Sequence, residues 1–189
     1  MGNTKSMTST QRLSRYFAGL AVPEKVQVTI AEAMKHYRDY ITYVVPKENW
    51  HMTLLYMGEL PGIEEFLPEL TKPLPQVFVP AVSVTHLGQG VQTDQLWAYV
   101  HITPTIEALH SDLVQRAQKA GITLPEDVYN RSFVPHIRVA DINPGKNKLG
   151  MPDAAVTVTF SVMEAHVYKT KQGEGGVSYT KEATIPLSE

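Results

Sequence analysis

Two histidines with matching neighbours are the residues of this chain best suited to catalysis. The first opens the stretch His51–Leu54, and the second opens the stretch His136–Val139. An apolar run surrounds each of them, which is typical of a buried strand. Residues two apart on a strand point to the same face, so Thr53 projects beside the first histidine and Arg138 beside the second.

This set suits acid–base chemistry on a phosphodiester. An imidazole has an unperturbed pKa near 6.5, so one histidine can accept a proton while the other donates one near neutral pH. One would activate a hydroxyl or water, and the other would protonate the leaving oxygen, without a metal ion. Thr53 can donate a hydrogen bond to a non-bridging oxygen, and Arg138 offers a charged fork suited to phosphate.

Each of these residues also has a simpler interpretation. A lone histidine in a strand is usually a packed core residue, but two in matched contexts favour catalysis. Arg138 could instead face solvent or pair with a carboxylate. Three aromatic residues have substrate-binding and packing interpretations: Phe133 and Tyr56 could stack a nucleobase or fill the core, and Tyr168 could edge a cleft or lie in the core.

No metal site is predicted. The remaining histidines show no ligand-like spacing with a carboxylate; they are His36, His86, His101, His110 and His166.

Composition limits the class of protein. The 189 residues are 43% hydrophobic and 19% charged, as in an ordinary soluble globular protein. A net charge of −2 argues against a surface that coats nucleic acid, but it allows a small phosphate site. Without cysteine there are no disulfides. No apolar stretch is long enough to span a bilayer and no signal peptide opens the chain, so we expect a cytoplasmic protein without a membrane partner.

Residues 1–11 are polar and are expected to form a flexible tail before a single domain, 12–189. Gly2 formally fits a myristoylation pattern, although a disordered tail is favoured.

The order of predicted elements suggests an internal duplication. An amphipathic helix precedes the strand of each histidine, and the two histidines are 85 residues apart. We therefore expect one bilobal α+β domain with the two histidine strands facing each other across a cleft. The predicted elements are strands at 15–22, 43–45, 49–58, 77–87, 96–102, 133–140, 156–168 and 177–187, and helices from Val26 to Ile41, Ile63 to Leu70 and Thr103 to Ala120, with a loop at 143–148.

The pattern of a histidine, any residue, Thr or Ser and an apolar residue, repeated about eighty residues apart, resembles the 2H phosphoesterase superfamily. It is most similar to RNA 2′,3′-cyclic phosphodiesterases, also called 2′-5′ RNA ligases. Arg15–Pro23 resembles the opening strand, Asn49–Glu59 the first motif with its Gly-Glu ending, and Phe133–His136 the approach to the second. The likeness covers nearly the whole chain after the tail. Arg138 departs from it, since the family has Thr or Ser there.

The resemblance implies a pseudo-twofold fold, with two antiparallel sheets lining a basic central cleft and helices outside. It also implies metal-independent catalysis without a cofactor by His51, His136 and Thr53. We expect hydrolysis of an RNA 2′,3′-cyclic phosphate to a 2′-phosphate, with His51 as general acid and His136 as general base, or with these roles exchanged. The partner is a small nucleotide or an RNA end, and the protein is expected to be a monomer.

Alternatives remain open at this point. A 2′-5′-linked oligonucleotide or a cyclic oligonucleotide signal is an alternative substrate, which the altered second motif and the near-neutral charge favour. The fold could also serve as a non-catalytic nucleotide-binding module in which Arg138 dominates affinity. A purely structural domain would hold the two histidines more than about 10 Å apart, beyond reach of one phosphate.

Overall fold

A computed structural model describes residues 13–72, 80–143, 151–173 and 176–187. The predicted tail at 1–11, most of the predicted loop at 143–148 and the beginning of the predicted strand at 77–87 lie outside these ranges. The described strands are β1 (Ser14–Ala21), β2 (Ile41–Val44), β3 (His51–Leu60), β4 (Ala81–Gln89), β5 (Gln95–Val100), β6 (His136–Ile142), β7 (Ala154–Ser161), β8 (Glu164–Gly173) and β9 (Gly176–Pro186). The helices are α1 (Glu24–Met34), α2 (Leu67–Leu70), α3 (Pro104–Lys119) and α4 (Glu126–Asn130), with 3₁₀ turns at Lys35–Tyr37 and Lys47–Asn49.

All nine described strands belong to one antiparallel sheet with the order β7-β4-β5-β6-β3-β1-β8-β9, and β2 pairs with β6. The two histidine strands, β3 and β6, are neighbours at the centre. In the described part of the sheet, these two strands pair at one position, Met52 with Ile137. We call the strands β3, β1, β8 and β9 the first lobe, and β6, β5, β4, β7 and β2 the second lobe. The predicted α+β class is confirmed, and the two expected antiparallel sheets are joined into one through the pairing of β3 with β6.

The prediction of one long strand from Val156 to Tyr168 is wrong. The segment forms two strands, β7 and β8, which lie in different lobes on opposite sides of the central pair. The chain crosses between lobes at Val162 and Met163, where neither Gly nor Pro marks a break. The apolar residues fall at even positions up to Val162 and at odd positions from Met163 onward, a change of phase that the prediction overlooked. The end of the chain therefore completes the first lobe, and the lobes are not the two halves of the sequence.

Helix α1 also crosses between lobes. It follows β1 of the first lobe but packs against β7 of the second. Its buried face consists of Val26, Ile30 and Met34, at the spacing of one helical face. Just after the helix, the buried Tyr37 hydroxyl lies 2.8 Å from the carbonyl oxygens of Leu87 and Pro152.

Helix α3 makes the reciprocal crossing, since it follows β5 of the second lobe and packs against β3 of the first. Its predicted ends are confirmed. Thr103 Oγ1 accepts a hydrogen bond from the Ile106 amide at 3.2 Å, and Gly121 follows the helix with φ +92°. The two exchanged helices hold the lobes together. Within the described ranges, no helix combines the length and the apolar character needed to cross a membrane.

Tyr37→Phe should lower the free energy of unfolding by about 1 kcal/mol, because it removes a buried hydroxyl donor and leaves two carbonyl oxygens without it. Tyr40→Phe, at a partly exposed residue nearby, is the matched control and should change it by much less. Urea denaturation of both variants measures the difference. Equal effects of the two substitutions would show that the Tyr37 hydroxyl does not tie α1 to the second lobe.

Candidate active site

The Met52–Ile137 pair places four polar side chains on one face of the sheet. Both residues of the pair are fully buried. Continuing the antiparallel register by one residue in each direction sets His51 opposite Arg138 and Thr53 opposite His136. All four alternate with the buried pair and are half-buried. The predicted catalytic residues therefore share one face, and their catalytic role remains a prediction.

The two histidines are diagonal neighbours in this arrangement. Diagonal residues on adjacent antiparallel strands are roughly 7–8 Å apart, which is within reach of one phosphate group bound between them. A charge on His136 also lowers the pKa of His51, as expected for rings that share a site.

A bulge follows each histidine at the same distance along its strand. The register with the outer neighbour skips Leu54 in β3 and Val139 in β6, each the third residue after its histidine. A bulge turns the following residues to the opposite face. The fifth residue after each histidine, Tyr56 or Asp141, consequently projects on the same side as the histidine.

Both histidines are held by the same local hydrogen bond. The Nδ1 atom of His51 is 2.7 Å from the carbonyl oxygen of Asn49, and that of His136 is 2.8 Å from the carbonyl oxygen of Val134. A carbonyl oxygen only accepts, so Nδ1 carries the hydrogen and donates it. In the neutral ring this leaves the Nε2 lone pair available for proton transfer.

Aromatic rings enclose both imidazoles. His51 stacks on Phe17 with centroids 4.4 Å apart, and Tyr179 meets it edge-on at 4.9 Å. His136 stacks on Trp97 at 3.6 Å with an interplanar angle of 15°. The enclosure fixes both rings and removes water from one side of each.

Burial controls the protonation of the pair. It lowers the pKa of His51 to about 4, against the opposing hydrogen bond to Asn49. It also lowers the pKa of His136, against the hydrogen bond to Val134. Both rings are therefore neutral at pH 7 before a ligand binds.

Gly19 is fixed by the closeness of β1 to the His51 ring. A Cβ atom at this position would lie 2.9 Å from the carbonyl oxygen of Met52 and 3.4 Å from Cδ2 of His51. The contact with the Met52 carbonyl oxygen involves the backbone of β3, which can shift only by distorting the strand. A side chain here would displace the histidine or the strand.

A pocket of about 590 Å³ opens beside Thr53 and His136. It brings Tyr56 and Phe133 to these two residues, while Tyr168 is not part of its wall. Phe133 lies parallel to His110 at 4.2 Å, so one of its faces is already occupied. The other lining residues are Leu54, Leu55, Val91, Gln92, Trp97, His110, Asp127, Val128, Arg131, Ser132 and Val134.

The described lining of this pocket is mainly apolar. The one arginine among its described lining residues, Arg131, lies 3.4 Å from the carboxylate of Asp127. Tyr168 instead stacks on Phe17, with ring centroids 5.1 Å apart. Its ring centroid lies 6.1 Å from that of His51.

Arg138 is engaged by a carboxylate. Its Nε and Nη2 atoms lie 3.1 Å and 2.6 Å from the same oxygen, Oδ1 of Asp141. Arg138 therefore pairs with a carboxylate in the unliganded site, one of the two simpler interpretations of this residue. Among the described residues, no three His, Asp or Glu side chains are grouped so that they could hold a metal ion.

Four residues of the site were missed by sequence reasoning: Phe17, Trp97, Asp141 and Tyr179. Phe17 and Trp97 lie on the strands next to β3 and β6, and Tyr179 lies on β9, beyond β1 and β8, so only the sheet pairing and its curvature reveal them. Asp141 had a usable signal, because it stands five residues after His136 as Tyr56 stands five after His51.

Sequence comparison gives no match to a family model or to a curated protein. Structure comparison does. Escherichia coli LigT complexed with ATP superposes with a TM-score of 0.74 at 19% identity, covering 94% of this chain and 100% of LigT. TT0787 of Thermus thermophilus gives 0.75 at 20% identity, covering 92% of this chain and 97% of that protein. The fold is that of the 2H phosphoesterases.

A more distant 2H phosphoesterase structure has the same fold. The MHV ns2 PDE domain has a TM-score of 0.51 and 12% identity, covering 90% of this chain and 99% of that domain. LigT itself has also been crystallised with 3′-AMP and with phosphate. The 2H phosphoesterase fold expected from the two histidine stretches is thus confirmed at identities where sequence comparison finds nothing.

His51 should make stability fall in acid. Below about pH 6.5 the unfolded chain protonates His51, whereas the folded chain does so only near pH 4. The unfolded state then binds more protons, so lowering the pH from 7 to 4.5 should cost about 2 kcal/mol through this residue. Urea denaturation at both pH values should show a loss smaller by that amount in His51→Gln. The exposed His36→Gln is the control, and equal losses in both variants would contradict the burial argument.

Proposed function

We propose that this protein is a phosphodiesterase acting on nucleotide substrates, with an RNA 2′,3′-cyclic phosphate end as the first substrate to test. The observation that carries the proposal is the arrangement of His51 and His136 around the Met52–Ile137 pair. Both rings donate Nδ1–H to a backbone carbonyl and leave Nε2 for chemistry. One phosphate between them can meet a proton acceptor and a proton donor at once.

In hydrolysis, Nε2 of the neutral histidine takes a proton from water as the water oxygen bonds to phosphorus. The bond from phosphorus to the 3′ oxygen breaks, and Nε2–H of the protonated histidine gives that oxygen its proton. The product is a 2′-phosphate. Both proton transfers are between the substrate and imidazole nitrogens, so the scheme uses no metal ion.

The surroundings of the rings favour His51 as base and His136 as acid, the exchanged assignment. Burial and the neighbouring charge both oppose a proton on His51. His136 stacks on the Trp97 indole at 3.6 Å, and a protonated ring over an indole face is stabilised by a cation–π interaction. A bound phosphate would raise the pKa of both rings by its negative charge.

The other site residues have binding roles in this proposal. Thr53 lies opposite His136 and donates a hydrogen bond to a non-bridging phosphate oxygen, and Arg138 contributes charge at the other end. Tyr56 and the free face of Phe133 offer stacking surfaces for a base in the pocket. Tyr168 acts indirectly, because it supports Phe17 against His51. The LigT complexes with ATP and 3′-AMP support a nucleotide ligand for this fold.

His51→Ala and His136→Ala should each lower kcat/KM for a nucleoside 2′,3′-cyclic phosphate by about 10²–10⁴-fold, because each removes one proton-transfer group. His110→Gln, at the pocket wall but outside the proton transfers, should cost far less. Product 2′-phosphate is measured by chromatography, with a chelator present in a parallel reaction. Binding of nucleotides without turnover of cyclic or 2′-5′-linked substrates would instead support a nucleotide-binding module.

The acid and base assignment can be tested with a nitrophenyl phosphodiester, whose leaving group needs no protonation. The loss caused by His136→Ala should shrink by at least about ten-fold on this substrate, whereas the loss caused by His51→Ala should persist. If instead the loss caused by His51→Ala shrinks and that caused by His136→Ala persists, His51 is the general acid and His136 the general base. In the wild type, kcat/KM should be highest between about pH 4 and 6.5, since both pKa values are lowered.

A further inference from the structure

Asp141 has no assigned role in the proposed reaction, yet it faces the site. The bulge at Val139 turns it to the side of His136 and Arg138. The two hydrogen bonds from Arg138 show that it reaches that side. The corresponding residue after the first histidine, Tyr56, lines the substrate pocket.

The Arg138–Asp141 pair is accessible rather than locked in the core. The side chains are 41% and 33% exposed. Asp141 takes two of the five N–H groups of the guanidinium, from Nε and Nη2, and both go to one carboxylate oxygen. Within the described part of the chain, the other three N–H groups remain for a ligand.

The pair also lies close to the His51 ring. The register sets Arg138 opposite His51. Burial raises the pKa of the Tyr179 hydroxyl, and the positive charge of Arg138 opposes that rise. The Tyr179 ring lies 4.9 Å from the His51 ring, measured between centroids. An anion bound between the two histidines therefore lies near the Arg138 guanidinium. The same guanidinium also binds the Asp141 carboxylate.

A carboxylate in this position repels a bound anion in proportion to the charge of that anion. A phosphodiester carries one negative charge, and a phosphomonoester carries nearly two above pH 7. Arg138 attracts both, but Asp141 offsets the attraction more strongly for the monoester.

We propose that Asp141 is a specificity-determining residue that reduces the preference of the site for phosphomonoester dianions over phosphodiester monoanions. It does so by holding Arg138 in a neutral pair instead of a free cation. This inference rests on the proposed function for its meaning. Hydrolysis turns a monoanionic diester into a dianionic monoester, so Asp141 disfavours retention of the product.

The test uses two ligands that differ by one charge, a nucleoside 2′-monophosphate and its phosphate methyl ester, titrated calorimetrically at pH 8. Asp141→Asn keeps the shape of the side chain and removes its charge. It should tighten monophosphate binding at least about ten-fold and ester binding much less. Glu59→Gln, which removes the charge of an arginine-paired carboxylate away from the two histidines, should leave the ratio of the two affinities unchanged.

Two results would overturn the inference. An unchanged affinity ratio in Asp141→Asn would show that the carboxylate does not sense ligand charge. Equal weakening of both ligands would show that Asp141 only positions the arginine. Turnover of the cyclic phosphate by the wild type is measured separately. Absent turnover with a shifted ratio refutes only the phosphodiesterase proposal, and turnover with an unchanged ratio refutes only the role of Asp141.

Discussion

One antiparallel contact determines the site: the pairing of Met52 with Ile137 at the centre of the sheet. Because both residues are fully buried, neither strand can slip by one residue without turning its buried side chains to the cleft. The same register sets His51, Thr53, His136 and Arg138 on the opposite face. A shift of one position would bury all four, so the packing of two apolar side chains fixes the geometry of the polar ones.

The rest of the fold keeps this contact in place. Each lobe supplies one histidine strand, and helices α1 and α3 pack across onto the lobe that they do not follow. The aromatic rings beside the histidines then add a second constraint. They hold the rings and exclude water, which lowers both pKa values. The site is thus arranged to receive a negative charge, since a bound phosphate relieves the cost of protonating a buried imidazole.

Local signals in the sequence were enough for the strands and helices that bear the site. The apolar runs around His51 and His136, and the ends of α3 at Thr103 and Gly121, depend on residues close in sequence. The exchange of strands between lobes depends on long-range pairing, and the break at Val162 carries no turn residue. The stacking of Trp97 on His136 likewise follows from which strand lies beside β6. The Arg138–Asp141 pair was hidden because an unbulged strand would send these side chains to opposite faces.

The central claim is that both histidines serve one phosphate. The most direct measurement is the pKa of each histidine by NMR, with and without one equivalent of a non-hydrolysable phosphodiester analogue. If the claim holds, the pKa values of His51 and His136 both rise on binding and saturate at the same ligand concentration. A rise in only one of them, or two different saturation points, would show that the two rings do not share a ligand and would contradict the account.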